Sequence, residues 1–128
     1  MKKRSIVVVD DEVDFTDMVK CFLERTGLFE VGVCNTGGEA LAMIRDWKPD
    51  LVLLDIVMPG MDGTEIAGKL RETEDLRSVP LMFSTSLVTP QEIARDPLIA
   101  KTPFISKPIS GEALARRIRE FFAIEDRP

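Results

Sequence analysis

The sequence predicts an α/β fold, in which a parallel β-sheet carries helices on both of its faces. Short apolar runs of strand length alternate along the chain with segments of helical periodicity, five times in all. The run Leu51–Leu54 contains no polar side chain, which is typical of a strand buried on both faces. The connections are too short for a second domain. We therefore expect residues 1–128 to form one domain, with Glu125–Pro128 as a tail or the start of a linker.

Five segments are predicted as strands, because each is a short apolar or alternating run bounded by polar or turn residues. They are Ile6–Val9, Phe29–Cys34, Leu51–Leu54, Pro80–Ser84 and Phe104–Ser106. In the second of these, apolar side chains alternate with Glu30 and Gly32, which predicts a half-exposed strand at an edge of the sheet. Right-handed crossovers join such strands. The order 2-1-3-4-5 is that of flavodoxin-like doubly wound sheets, and we adopt it by analogy.

Five helices are predicted between and after these strands. The first has an apolar stripe that starts at Phe15 and stops at Gly27. Thr36-Gly37-Gly38-Glu39 has the capping-box pattern and opens a second helix, which ends by Trp47. Ser110 caps the last helix. The residues that this helix is expected to bury are Leu114, Ile118 and Phe121 or Phe122.

The third and fourth helices differ in how clear their signals are. Asp62–Arg71 has regular helical periodicity and is predicted as the third helix. Thr89-Pro90-Gln91-Glu92 is a second capping box with proline at the first helical position, which is a strong start signal. Pro97 then falls where the helix would continue, and an interior proline costs about 3 kcal/mol. We therefore expect a short fourth helix, Pro90–Arg95, that is broken at Pro97.

Composition argues against several classes of function. The net charge of −5, from 17 Lys and Arg against 22 Asp and Glu, disfavours a nucleic-acid surface, which needs clustered cations. No apolar run approaches the ~20 residues of a membrane span, so we expect a cytoplasmic chain without membrane contact. The absence of histidine excludes a histidine triad or general base and disfavours a zinc site. Cys21 and Cys34 form no CxxC motif, and both are expected to be reduced core residues.

Polar residues follow four of the predicted strands. Asp10 and Asp11 come after the first strand, Asp55 after the third, Thr85 after the fourth and Lys107 after the fifth. Parallel strands end at one edge of a sheet, where such folds bind ligands, so these side chains are expected to meet. Repulsion among three carboxylates would raise at least one pKa, and a hard divalent cation such as Mg²⁺ would relieve the repulsion. The lysine adds a compact cation, and the threonine adds a hydroxyl donor.

This combination of groups predicts a phosphoryl-transfer site. Asp55 would attack phosphorus in line, while Mg²⁺ and Lys107 would stabilise the charge on the phosphoryl oxygens. The product would be an aspartyl phosphate. A carboxylate is already ionised and needs no general base, so the absence of histidine agrees with this chemistry.

Four segments together resemble the signatures of response-regulator receiver domains, the CheY-like modules of two-component signal transduction. They are Val9–Glu12, Leu54–Gly63, Pro80–Ser86 and Phe104–Pro108, and in this order they span nearly the whole chain. The resemblance implies that Asp55 is phosphorylated by a sensor histidine kinase or a phosphotransfer protein. It also implies that the domain is not an enzyme toward other substrates and catalyses only its own phosphorylation and dephosphorylation.

The resemblance further implies a role for each residue of the site. The Mg²⁺ ligands would be Asp11, Asp55 and the main-chain carbonyl of Val57, with Asp10 acting through water. Thr85 and Phe104 would form a switch pair, and the Lys107–Pro108 peptide bond would be cis. Phosphorylation would reshape the face formed by the fourth helix, the fifth strand and the fifth helix, which would act on an unknown output domain or protein or support a homodimer.

Three apolar residues depart from the family pattern. Val57 stands where many members carry a polar side chain, and Leu87 is apolar two places after Thr85. Neither side chain can position an attacking water, so we expect a long-lived phosphoryl group. Phe104 lacks the hydroxyl of a tyrosine, so its inward state would gain packing but no hydrogen bond.

Two alternative functions remain open at this point. Asp62-Gly63-Thr64 faintly resembles the D-x-D-G-T motif of haloacid-dehalogenase-type enzymes, which are Mg²⁺-dependent phosphohydrolases with an aspartyl-phosphate intermediate. That motif needs an acid two places before Asp62, where this chain has Gly60, and 128 residues leave no room for a cap domain. The other alternative is a pseudo-receiver that is used only for docking, although all the chemical residues are present.

Overall fold

The computed structural model describes residues 2–58, 63–85 and 102–123, which form a five-stranded parallel sheet covered by helices. The strands are β1 (Arg4–Val9), β2 (Phe29–Cys34), β3 (Leu51–Asp55), β4 (Leu81–Thr85) and β5 (Phe104–Ser106). The helices in this part of the chain are α1 (Val13–Arg25), α2 (Gly37–Trp47), α3 (Gly63–Glu72) and α4 (Gly111–Phe121). The label α4 goes to the last helix because the predicted helix Pro90–Arg95 and its break at Pro97 lie outside the described residues.

The strand order in the sheet is β2-β1-β3-β4-β5, which confirms the predicted order 2-1-3-4-5. All four neighbouring pairs are parallel. Asp55 pairs with Ser84, and Thr85 pairs with Ser106. The final residues of the strands therefore lie side by side at the carboxyl edge, where the sequence predicts the site.

Alternating side chains of β1 and β3 enter two separate cores, one on each face of the sheet. The residues that pack with α2 and α3 are Val7, Val9, Val52 and Leu54. The residues that pack with α1 and α4 are Ile6, Val8, Leu51 and Leu53. All eight are fully buried, which explains why these strands contain continuous apolar runs. Within the described ranges, no helix combines the length and the apolar character needed to cross a membrane.

Strand β2 lies at an edge of the sheet, as predicted, but the expectation that it is half exposed is wrong. Glu30 is its one exposed residue. On one face, the side chains of Met43 and Trp47 lie so close to Gly32 that a Cβ at this position would be within 2.7 and 2.8 Å of them. The burial of β2 thus depends on helix α2, which the alternation of residues within the strand does not reveal.

Helix α1 covers the open edge of β2 with two charged side chains. The Lys20 ammonium donates to the carbonyl of Val31 at 2.8 Å, and the Val31 N–H donates to the Glu24 carboxylate at 3.1 Å. The hydrogen bonds from Lys20 and from the Val31 N–H lower the pKa of Glu24. Main-chain groups that would otherwise be free to pair with another strand are thereby satisfied.

The capping and cysteine predictions have different outcomes. Helix α2 begins where the capping-box pattern predicts, with Thr36 at its N-cap, but the Thr36 side chain makes no capping hydrogen bond. By contrast, the Ser110 hydroxyl accepts the Ala113 N–H at 3.1 Å, which confirms the predicted cap of the last helix. Cys34 is buried and Cys21 is exposed. The core assignment of Cys21 is wrong because it lies two residues from both Val19 and Leu23, which form the buried stripe of α1.

Gly63 opens α3 directly against the strand that carries Asp55. A Cβ at Gly63 would collide with the main-chain carbonyl of Asp55, whereas a Cβ at Gly68 in the same helix would meet nothing within 4 Å. We expect Gly63→Ala to lower the free energy of unfolding by about 2 kcal/mol or more, because the backbone must move. Gly68→Ala is the matched control and should raise this free energy by about 0.5–1 kcal/mol. Urea denaturation measures both, and equal effects of the two substitutions would contradict this account.

Candidate functional site

The carboxyl edge of the sheet brings the predicted site residues together. Asp10 follows β1, Asp55 ends β3, Thr85 ends β4 and Lys107 follows β5. The two aspartates and the threonine are buried, and the Lys107 side chain is only 6% exposed. Charged groups at this depth need partners, because burying an unpaired charge is costly.

Asp10, Asp11 and Asp55 form a cluster of three carboxylates. One oxygen from each lies within 4.8 Å of the other two. Asp10 and Asp55 are buried and Asp11 is exposed, so the cluster reaches solvent through Asp11. Val57, whose main-chain carbonyl is the other predicted ligand, follows β3 and is 43% exposed. Oxygen donors at this spacing suit a hard divalent cation, so the cluster has the donor set for a metal ion.

The pKa of Asp55 is raised from 3.8 to about 7. Burial is the largest cause, and the negative charge of Asp10 adds to it. Lys107 acts in the opposite direction, as does the main-chain N–H of Val57, which donates to Asp55 Oδ1 at 3.3 Å. The expectation that crowding raises the pKa of at least one carboxylate is confirmed, with burial contributing more than repulsion.

Lys107 faces three carboxylates and one aromatic ring. Its Nζ donates to Asp10 Oδ2 at 2.7 Å and to Glu12 Oε1 at 2.8 Å, and it lies 3.8 Å from Asp55 Oδ2. The centre of the Phe15 ring is 4.5 Å from Nζ, which is a cation–π distance. Burial is the largest single influence on the pKa of Lys107 and disfavours its charged form. The hydrogen bonds to Asp10 and Glu12, together with the negative charges of Asp10 and Asp55, outweigh this influence, so the pKa is raised and the lysine is charged.

The turn after β1 is built around Asp10. Its Oδ1 accepts the main-chain N–H of Glu12 at 2.9 Å, and its carbonyl accepts the Asn35 side-chain amide at 2.8 Å. The same amide donates to the Thr16 hydroxyl at 3.1 Å. Asp10 therefore both shapes the entry to α1 and binds Lys107.

The predicted switch residues connect this cluster to the last helix. The carbonyl of Thr85 accepts the main-chain N–H of Lys107 at 2.9 Å, and the Lys107–Pro108 peptide bond is cis, as the resemblance implies. Phe104 is partly buried against the core that includes α2 and α3. Its carbonyl accepts a hydrogen bond from Arg117 of α4 at 3.3 Å. A chain of contacts thus runs from the lysine through β4 and β5 to α4.

Residues 6–119 match the family model of the response regulator receiver domain. The chain belongs to this family. The receiver domain is 33% identical over 119 residues, or 93% of its length, to the transcriptional regulatory protein YvrH of Bacillus subtilis. It is 31% identical over 117 residues, or 91% of its length, to the DNA-binding response regulator MtrA of Mycobacterium tuberculosis.

A solved structure supports the same assignment. The chemotaxis protein CheY4 of Vibrio cholerae has a TM-score of 0.83 and 25% identity, covering 93% of this chain and 98% of that one. The predicted family and the flavodoxin-like fold class are therefore confirmed. The chain spans about half the length of the two regulators, 49% of YvrH and 50% of MtrA, so the similarity to them covers the receiver domain alone.

Sequence reasoning missed two residues of the site, Glu12 and Phe15. Glu12 directly follows the acidic pair, and this adjacency was the available signal that it reaches Lys107. Helical spacing assigns Phe15 to the apolar stripe of α1, and the ring does pack against the core on that face. Its position in the first turn of α1, next to the strand ends, was the signal for its additional contact with the lysine.

Asp55→Asn is expected to stabilise the metal-free receiver domain at alkaline pH. Because folding raises the pKa of Asp55, the native state binds this proton more tightly than the unfolded chain does. The contribution of Asp55 to the free energy of unfolding therefore falls as the pH rises from 3.8 through about 7. Asparagine removes this fall and should raise the free energy of unfolding at pH 8 by about 2 kcal/mol or more relative to wild type.

Urea denaturation of both proteins at pH 5 and pH 8, with and without Mg²⁺, measures this difference. The advantage of the variant should be larger at pH 8, and Mg²⁺ should reduce it by stabilising the wild-type protein preferentially. An advantage that is equal at the two pH values would contradict the raised pKa of Asp55.

Proposed function

We propose that this receiver domain accepts a phosphoryl group on Asp55, with Mg²⁺ held by the three clustered aspartates and the main-chain carbonyl of Val57. One observation carries the proposal. The Lys107 ammonium lies 3.8 Å from the buried Asp55 carboxylate, and Asp55 is itself one of the three clustered aspartates. A nucleophile, a nearby cation and metal donors in one place are the requirements of in-line phosphoryl transfer.

In the proposed reaction, an Asp55 carboxylate oxygen attacks phosphorus, and the bond between phosphorus and the leaving group of the donor breaks. An aspartyl phosphate results. Lys107 would pair with one phosphoryl oxygen, and the Thr85 hydroxyl would donate a hydrogen bond to another. Bound Mg²⁺ would supply further charge neutralisation at these oxygens.

The raised pKa of Asp55 explains why a cation would be needed before the reaction. With a pKa of about 7, a large share of Asp55 is protonated at neutral pH in the metal-free chain, and a protonated acid is a poor nucleophile. A divalent cation beside the carboxylate favours its ionised form. These residues would therefore make phosphorylation depend on occupancy of the metal site.

The proposed phosphodonor is a sensor histidine kinase or a phosphotransfer protein in the cytoplasm. We infer that the domain catalyses only its own phosphorylation and dephosphorylation. Val13 and Val57 are large apolar side chains that are 54% and 43% exposed, and each lies within three residues of a site aspartate. They offer apolar contact area to a donor that must approach Asp55.

The proposed response to phosphorylation is a movement of the Thr85 and Phe104 switch pair. Arg117 binds the Phe104 carbonyl, so a shift of Phe104 would be transmitted to α4. The names of YvrH and MtrA describe a transcriptional regulatory protein and a DNA-binding response regulator. By analogy, this domain would control an output domain or protein, or form a homodimer on phosphorylation. The net charge of −5 agrees with an output that does not involve direct DNA contact by this domain.

The alternative functions have less support. A docking-only pseudo-receiver has no need to bury Asp10, Asp55 and Lys107 together beside the exposed Asp11, because buried charges cost stability. The structure does not support the phosphohydrolase alternative, because two positions of the motif on which it depends, Gly60 and Asp62, lie outside the described residues. Turnover of a phosphomonoester substrate would favour it.

Incubation with acetyl phosphate and Mg²⁺ is expected to add one phosphoryl group to the wild-type domain. Intact-mass spectrometry should show an adduct that hydroxylamine removes, as it does from acyl phosphates. Asp55→Asn should abolish the adduct, and Lys107→Ala should slow its formation about tenfold or more. Asp46→Asn, which alters an exposed aspartate of α2, is the control and should react like wild type. An adduct that persists in Asp55→Asn would contradict the proposal.

Val57 leads to a separate prediction about the lifetime of this adduct. An apolar side chain beside Asp55 cannot orient an attacking water, so the wild-type adduct should persist for minutes or longer after the donor is removed. Val57→Asn should shorten its half-life severalfold, whereas Val13→Asn should leave it unchanged. The decay is followed by intact mass, and a wild-type half-life of seconds would rule out this expectation. Leu87, the other apolar departure from the pattern, lies outside the described residues.

A further inference from the structure

We propose that Glu12, together with the ring of Phe15, holds Lys107 in a resting position and so slows the phosphorylation of Asp55. This inference rests on the proposed function. Neither Glu12 nor Phe15 belongs to the proposed metal ligands or to the switch pair. Their contribution would be to the position of the lysine.

The distances around the Lys107 ammonium favour this resting position. Nζ is within hydrogen-bond distance of Asp10 at 2.7 Å and of Glu12 at 2.8 Å, but it is 3.8 Å from Asp55. The Phe15 ring closes another side at 4.5 Å. The lysine therefore hydrogen-bonds to two acids other than the one that would carry the phosphoryl group, and it must exchange a partner to contact phosphoryl oxygens.

Glu12 is the partner that Lys107 can release most easily. The Asp10 side chain is fully buried, and its carboxylate would lose its compensating charge if Lys107 left. The Glu12 side chain is 59% exposed, so water can solvate its carboxylate after release. A recess of about 250 Å³ adjoins this position and gives the Glu12 side chain room to turn away. The residues that line it are Glu12, Phe15, Lys107, Pro108 and Ile109.

The size of the effect follows from the exposure of this ion pair. Exposed ion pairs are weak, so loss of Glu12 should accelerate phosphorylation by about twofold to fivefold. Glu12 would thus adjust the rate rather than determine whether the reaction occurs. If Glu12 only supported the fold, its loss would leave the rate of phosphorylation unchanged or lower it, because a less stable domain would not be phosphorylated faster.

The test compares the rates of phosphorylation of Glu12→Gln, Phe15→Leu and wild type by acetyl phosphate at saturating Mg²⁺, followed by intact mass. Glu12→Gln removes the charge, and Phe15→Leu removes the ring without a change of charge. Glu39→Gln is the matched control, because Glu39 is also exposed and lies in the first turn of a helix at the same end of the sheet. Thermal unfolding confirms that each variant is folded.

We expect Glu12→Gln and Phe15→Leu both to react faster than wild type, and Glu39→Gln to match wild type. A Glu12→Gln rate equal to or below that of wild type would overturn the inference. Equal acceleration by Glu39→Gln, or no acceleration by Phe15→Leu, would also overturn it, because the effect would then come from net charge. If wild type itself forms no adduct on Asp55, the proposed function fails. If wild type is phosphorylated but Glu12→Gln is not faster, only the inference about Glu12 fails.

Discussion

Charge balance at the carboxyl edge of the sheet is the constraint on which the rest of the structure depends. One oxygen from each of Asp10, Asp11 and Asp55 lies within 4.8 Å of the other two, and the buried Lys107 ammonium pairs with Asp10 and lies 3.8 Å from Asp55. Burial of Asp55, with the negative charge of Asp10 as a smaller contribution, raises its pKa to about 7. A proton on Asp55 or a cation among the acids restores the balance, so protonation and metal binding compete with each other.

The fold holds these groups together because every strand delivers its last residue to the same edge. Cores on both faces prevent the strands from shifting relative to each other. The backbone of Gly63 rests against the carbonyl of Asp55, and the Asn35 amide fixes the carbonyl of Asp10. The carboxylates of the site therefore repel one another but cannot move apart. The packing of the whole domain offsets the free energy of this repulsion.

The sequence predicts the sheet and the convergence of Asp10, Asp55 and Lys107 because both follow from local patterns. Apolar runs identify buried strands, and the parallel arrangement places the strand ends together. The strand order itself required an analogy. Individual side-chain pairs within the site could not be predicted in this way. Glu12 and Lys107 are 95 positions apart, and the adjacency of Glu12 to the acidic pair places it near the site without specifying a hydrogen bond to this lysine.

The burial of β2 was beyond sequence prediction for the same reason. Its alternating residues indicate exposure on one face, but Trp47 at the end of α2 covers Gly32. Thr36 shows that a local pattern can also predict too much. Its capping-box pattern is complete, but its side chain makes no capping hydrogen bond. Local patterns thus identify elements and their ends, whereas the packing between elements decides exposure and side-chain pairing.

Lys107 links the charge balance of the site to the rest of the domain. Its ammonium faces Asp10, Glu12 and Asp55, and its main-chain N–H binds Thr85 at the end of β4. Phosphorylation would add further negative charge to the site, because about −2 on the aspartyl phosphate would replace the single charge of the ionised Asp55 carboxylate. The same addition would strengthen cation binding and draw the lysine toward Asp55, because both respond to one electric field. The ion pair with Glu12 is exposed and weak, so it can adjust this response while the residues that perform the chemistry stay unchanged.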